Sequence, residues 1–285
     1  MKKFNKITLA IVSIVIPLLF ASCEEEIVRD PSPVQSSGIQ AFIYESTPQN
    51  MVFLPANNQS FDILIGRKNT TDAVTINLSV SNPDNVFVIP TTASFDAGEA
   101  VDTLKVTFSM DLGTSSKLTI VLDEEDTFWY GRDSITISVS RDYTWESAGV
   151  VSMTSSWAGA IEDVEIQAAK ESPGLYRLVS PYNVLEPDYC PEPGYHLQFV
   201  LDPVTYNAVS VPNRQLIGET YDDEGVTYDI EFFHADFGDT FTNEGNVYTI
   251  KGSFFFVTPG GAGVFDQMDE VFEWKEGYPL DEEKE

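Results

Sequence analysis

From Ile39 onward, apolar and polar positions alternate with a period of two. Phe61-Ile63-Ile65, Val74-Ile76-Leu78-Val80, Leu104-Val106-Phe108, Leu118-Ile120-Leu122 and Ile135-Ile137-Val139 each set apolar side chains two residues apart. Successive side chains of an extended chain point to opposite faces, so this spacing predicts strands with one buried face. Turn-forming stretches break the runs at 67–72, 82–85, 96–99, 111–113 and 123–126. No stretch here carries a 3.6-residue period. Short strands with regular breaks predict a β-sandwich of immunoglobulin-like size over 39–142.

The pattern continues past Tyr143 with more aromatic residues. Strands are predicted around Val164-Ile166, Leu175-Leu178, His196-Leu201, Ala208-Val211, Thr227-Phe233, Val247-Lys251 and Ser253-Val257. Asn243-Glu244-Gly245-Asn246 predicts a hairpin. Val264 to Trp274 reads equally as a strand or a short helix. Trp145 and Trp157 are expected in the core or at the domain interface. The predicted fold class is therefore all-β. An immunoglobulin-like sandwich over 39–142 precedes a second antiparallel β-sandwich or barrel-like domain over 143–285.

The first 22 residues depart from this pattern. Lys2, Lys3 and Lys6 precede an apolar run from Ile7 to Phe20, and Ala21-Ser22 come before Cys23. A basic start, an apolar middle and small residues at the end are the layout of a secretory signal. The run is shorter than the ~20 residues of a comfortable bilayer span. Leu19-Phe20-Ala21-Ser22-Cys23 resembles a bacterial lipobox, although Phe20 stands where leucine is commoner. That resemblance implies diacylglycerol transfer to the Cys23 thiol, and several acyl chains make a lasting anchor. Glu24-Glu25-Glu26 resembles the acidic export tag of Bacteroidota surface lipoproteins. It implies an outer-membrane protein facing the cell exterior. Residues 23–38, rich in Pro, Ser and Gly, are expected to be a flexible tether.

Three stretches, "FDILIGRKNTTDAVTINLSV" (61–80), "ASFDAGEAVDTLKVTF" (93–108) and "SKLTIVLDEED" (116–126), resemble the Calx-beta family of immunoglobulin-like sandwiches. The shared features are an Arg near a strand end and a Phe-x-x-Gly-Glu turn at Phe95, Gly98 and Glu99. Calcium-binding members carry carboxylates at the sandwich tip. The resemblance makes Asp123, Glu124, Glu125 and Asp126 calcium candidates, although the family's acidic stretch is not reproduced in order. The plainer reading of four adjacent acids is a solvated turn, with no cofactor. "SPGLYRLVSPY" (172–182) resembles a stretch of uncharacterised Bacteroidota cell-surface lipoproteins that join a Calx-beta-like domain to a C-terminal β-rich domain.

Charge narrows the partners. The formal net charge is −29. Residues 39–142 hold 14 acidic and 6 basic side chains, whereas 143–285 hold 27 and 6. Such a chain repels nucleic acid phosphates, and no nucleic-acid partner is expected. There are 2 cysteines and 2 histidines. With Cys23 acylated, Cys190 has no disulfide partner, and a zinc site lacks ligands.

Nothing in the pattern carries catalysis. Cys190 precedes His196 in a Pro-rich loop, but no nucleophile motif surrounds it. Carboxylate pairs for glycoside hydrolysis are inevitable among 45 acids and so carry no specificity. Sugar binding has a better basis. Aromatic faces stack on pyranose rings while nearby polar groups take the hydroxyls. Trp129 and Tyr130 lie beside the acidic tip, and Tyr189, Tyr195, Tyr221 and Trp274 lie near breaks in the second region. The expected function is non-catalytic binding of glycan or protein at the outer cell surface, with the recognition placed in the second region. The alternatives are a structural or assembly subunit contacting other envelope proteins, and a carboxylate-dependent glycoside hydrolase.

Overall fold

The computed structural model describes residues 32–280, except 189, 191, 192 and 224. Cys23, its lipobox and the acidic tag lie outside the described residues.

The first nine strands are β1 (Ala41–Ile43), β2 (Asn50–Phe53), β3 (Ser60–Arg67), β4 (Val74–Ser81), β5 (Phe87–Val88), β6 (Thr92–Phe95), β7 (Val101–Phe108), β8 (Thr114–Leu122) and β9 (Ser134–Arg141). They form two sheets, ordered β1-β3-β7-β5 and β2-β9-β8-β4-β6. Pairing is antiparallel except for β2 against β9. The alternation read from the sequence is the packing pattern. Ile63, Ile65, Leu104, Val106, Leu118, Ile120, Ile135, Ile137 and Val139 are all buried in one shared core. Burying apolar area contributes roughly 25 cal/mol per Å², which drives the two sheets face to face.

The chain then passes through Asp142–Thr144 into β10 (Trp145–Ser155). Strands β11 (Ile161–Ala169), β12 (Leu175–Leu178), β13 (Leu197–Leu201), β14 (Ala208–Ser210), β15 (Gln215–Asp223), β16 (Val226–Phe232), β17 (Thr240–Glu244), β18 (Val247–Thr258) and β19 (Gly261–Glu276) complete the fold. All belong to one 10-stranded antiparallel sheet, ordered β14-β13-β12-β11-β10-β19-β18-β16-β15, with β17 also on β18. The sheet curls until its ends meet. Gln198 on β13 accepts at its carbonyl from the Gln215 amide on β15 at 2.9 Å, and the Phe199 and Phe241 rings lie 5.7 Å apart. A second, separate core fills the curl, and Trp274, Phe199, Phe232, Phe254 and Phe272 are fully buried in it. A short helix α1 (Pro181–Leu185) inserts Tyr182 against Phe232 and Phe254.

The ambiguous stretch Val264–Trp274 is strand: β19 pairs β18 from Thr258–Gly261 to Val247–Glu273. The predicted hairpin closes with Glu244 opposite Val247, and Gly245 takes the positive φ (60°) that this turn requires. The sequence pattern missed β15. Its buried positions are few, because one side packs on polar Gln198 and the strand bulges near Gly218.

Candidate functional site

β1 positions an aromatic-lined cleft of the first sandwich. Ala41 and Ile43 point into the core, so Phe42 and Tyr44 point to the opposite face. Phe42 sits opposite Gly66 on β3. A Cβ at Gly66 would fall 2.6 Å from Phe42 Cζ and 2.8 Å from Tyr44 Cε2. One at Gly131 would fall 2.6 Å from Phe42 Cβ. The two glycines therefore make the room that the rings occupy. Phe128 and Tyr130 form the facing wall, with ring centres 5.6 Å apart; Phe42 and Tyr44 lie 5.1 Å apart. Together they line a cleft of about 310 Å³ that also holds Glu45, Lys68 and Arg132.

The polar groups of this cleft are incompletely used. Arg132 Nη2 donates to Glu45 Oε2 at 2.5 Å, while the buried Arg132 Nη1 has no hydrogen-bond partner. Lys68 Nζ lies 4.5 Å from the centre of Phe128 and 5.8 Å from that of Phe42, within cation–π range. Among the described residues Lys68 forms no ion pair.

The N-terminal approach to this sandwich is held against the same loop. Tyr130 Oη donates to the Pro33 carbonyl at 2.7 Å. The Gln35 side chain donates to the Thr127 carbonyl at 3.0 Å and accepts from the Trp129 amide at 2.9 Å. The expectation of a flexible tether through Gly38 is therefore corrected at its end. One glutamine side chain satisfies two backbone groups of the 127–129 loop and ties the N-terminal segment to it.

The acidic tip adjoins this loop. Glu124–Asp126 form one 3-10 turn, and Asp123 precedes it. Burial raises the Asp126 carboxyl above its ordinary range, with further increments from Asp123 and Glu125. Among the described residues no group of three or more His, Cys, Asp or Glu side chains is gathered as a metal site.

A second cleft opens on the curled sheet. Trp157, Ala158, Glu186, Glu219 and Met268 line about 410 Å³. Trp157 stacks on Phe254 at 4.5 Å and donates from its indole nitrogen to Glu219 at 3.1 Å. Burial raises the Glu219 carboxyl, and that hydrogen bond opposes the rise. Behind the Ser155–Ala158 turn lies Glu270, wholly buried, accepting from Ser155 Oγ at 2.9 Å. Desolvation pushes its carboxyl up to about 8.

The remaining candidates are placed as follows. Trp129 and Tyr130 are exposed, at 62% and 55%, and Tyr130 lines the aromatic cleft while Trp129 flanks it. Tyr195 packs across Gly218 beside a shallow cleft of about 300 Å³. Tyr221 is wedged between Phe256 and Phe265, at 4.7 and 5.2 Å. Trp274 is corrected to a core residue: it is fully buried, and its indole donates to the Glu276 carbonyl at 2.9 Å. Tyr189 lies outside the described residues. Among the described residues, Tyr195, Tyr221 and Trp274 line no common cleft. Trp145 does stand at the junction of the two regions. Arg177 lies 4.2 Å over its ring, and its indole donates to Asp142 at 3.0 Å.

Cys190 and His196 do not make a nucleophile and base. Burial pushes the Cys190 thiol up to about 12, reinforced by Glu219 and Glu186. Only a thiolate attacks, and this thiol stays protonated. Burial also holds His196 down to about 4, where its Nδ1 accepts from the Ser180 amide at 3.2 Å.

Sequence reasoning missed Phe42, Tyr44, Lys68 and Arg132. The signal was present in "AFIYE" (41–45), which is apolar in both phases and so places aromatic rings on the outer face opposite the buried Ala41 and Ile43.

No family model matches the chain, and no curated protein matches it. Distantly similar solved structures include the following three. A Bacteroides ovatus protein of unknown function is 12% identical with a TM-score of 0.33, covering 86% of this chain and 92% of its own. CBD12 from CALX1.2 is 11% identical with a TM-score of 0.29, covering 50% and 79%. An auxiliary nutrient binding protein from Bacteroides thetaiotaomicron is 9% identical with a TM-score of 0.34, covering 88% and 93%. Similarity at this level establishes neither a shared family nor a shared ligand.

Proposed function

We propose that this chain is a lipid-anchored outer-membrane protein, facing the cell exterior, that binds glycan without catalysis. The aromatic cleft of the first sandwich carries the reading. Four rings, Phe42, Tyr44, Phe128 and Tyr130, line a cleft of about 310 Å³ of which Arg132, Glu45 and Lys68 are the charged members. Apolar faces of a pyranose stack on such rings, and charged side chains take its hydroxyls. The scaffold is preorganised: the rings rest on Gly66 and Gly131, and the 127–130 loop is pinned by Gln35 and Pro33. A glycan array probed with the full chain tests the binding, and membrane fractionation of Cys23→Ser tests the anchor. Array hits that vanish with Tyr130→Ala, and release of Cys23→Ser from membranes, are the expected results. An array without hits removes the glycan reading and favours a structural or assembly role.

A carboxylate-dependent hydrolase reading attaches to one observation, the Glu186–Glu219 pair in the Trp157 cleft with Glu219 displaced toward its protonated form. Turnover of aryl glycosides that disappears in Glu219→Gln is its test; the binding reading expects no turnover.

A further inference from the structure

We propose that the aromatic cleft selects sugars bearing a carboxylate, of the uronic acid class; this rests on the glycan-binding reading above. The chain as a whole is unsuited to anions, with 45 acidic and 16 basic side chains. Yet the charged residues lining this one cleft are Lys68, Arg132 and a single acid, Glu45. The local balance is thus reversed where the aromatic walls converge.

The donors are also unspent. Arg132 Nη1 is buried without a partner. A buried guanidinium nitrogen without an acceptor is costly, so a carboxylate that displaces Glu45 and draws the fork toward itself relieves that cost. Guanidinium presents its donors as a planar fork that matches a carboxylate. One tine, Nη2, is on Glu45 at 2.5 Å, and the other, Nη1, is buried without a partner. Lys68 Nζ is held over Phe128 and Phe42 and supplies a second positive charge with no protein carboxylate on it.

Glu45 completes the device. Its side chain is 79% exposed, so it gives way without a core rearrangement. In the free protein it occupies the Arg132 fork, and a sugar carboxylate displaces it. Glu45 therefore competes with acidic ligands for the fork, whereas a neutral sugar leaves the Arg132–Glu45 pair in place. The rings set the apolar face of the sugar, and the charges set its substituent.

The full chain is titrated calorimetrically with trigalacturonate and, separately, with its fully methyl-esterified form, which removes the charge at nearly the same shape. The acid is expected to bind roughly tenfold more tightly than the ester, the size of one charge-assisted contact. Glu45→Gln is expected to tighten the acid ~3-fold and Lys68→Gln to weaken it ~3-fold, as partly exposed ion pairs do. The acid-to-ester affinity ratio is read within each variant, so that any hydroxyl contact these side chains make to both ligands cancels. Both positions are solvent-exposed, so the variants test charge rather than folding. Equal affinities for acid and ester, or a tighter ester, overturn the carboxylate selection while leaving glycan binding standing. Failure of both probes, together with an empty glycan array, overturns both.

Discussion

The guanidinium carbon of Arg67 lies 5.0 Å from the centre of the Phe95 ring, in the interior of the first sandwich. Its three nitrogens donate to the carbonyls of Glu99, Asp72 and Asp96 at 2.7, 2.6 and 2.6 Å. A buried charge is tolerated here because three backbone acceptors solvate it. The Arg that ends β3 and the Phe-x-x-Gly-Glu turn are thus one structural unit, with the side chain of the first clamping the backbone of the second. Arg67→Met strands three carbonyls and is expected to cost about 3 kcal/mol in urea unfolding. A loss below about 1 kcal/mol would mean that the clamp is not structural.

The floor of the aromatic cleft makes a second prediction. Gly66→Ala places a methyl group where Phe42 and Tyr44 now lie, so both rings must move. A stability loss of roughly 1–3 kcal/mol is expected from overpacking. Glycan binding should fall with it even at temperatures where the variant is fully folded. Retained affinity in the folded variant would show that the ring positions do not matter.

Glu270 gives the chain a pH dependence with a defined sign. Its carboxyl rises from an ordinary 4.5 to about 8 in the fold, through desolvation. Between those values the folded chain holds a proton that the unfolded chain has released. This group therefore makes stability fall as pH rises through that window, and its contribution levels off above about 8. The total is on the order of a few kcal/mol. Glu270→Gln keeps an acceptor for Ser155 and cannot ionise. It should be more stable than the parent at pH 8 and nearly equal to it at pH 4.5. Parallel stability curves across that range would contradict the assignment.

Thiol counting tests the anchor independently of localisation. The chain has two cysteines, and Cys190 is buried with a strongly raised thiol. Protein purified from membranes should show no reactive thiol when native and one when denatured, because acylated Cys23 is a thioether. Two thiols in the denatured chain would rule out the modification.

Much of the fold was legible in the residues, for physical reasons. Period-two runs such as Leu118-Ile120-Leu122 announce strands because each must bury one face, and all three side chains are buried. β15 was illegible because only Ile217 of its nine residues is fully buried, so it has no apolar period to read. Trp274 misled because a position near the chain's last break does not fix which face of β19 it occupies. The cleft was the least legible part. Phe42 and Lys68 are brought together with Phe128 by the β1–β3 ladder and the 127–132 loop, and that juxtaposition is long-range. Only the outward phase of "AFIYE" hinted at it.

The central claim is that the Phe42–Tyr130 cleft binds glycan. Its most direct measurement is a glycan array read in parallel with the parent chain and with Tyr130→Ala. The parent should bind a defined set of glycans, and the variant should lose roughly tenfold in affinity for all of them, the worth of one aromatic wall. Hits that are unchanged in Tyr130→Ala would place recognition elsewhere on the molecule, and no hits with the folded parent would contradict glycan binding itself.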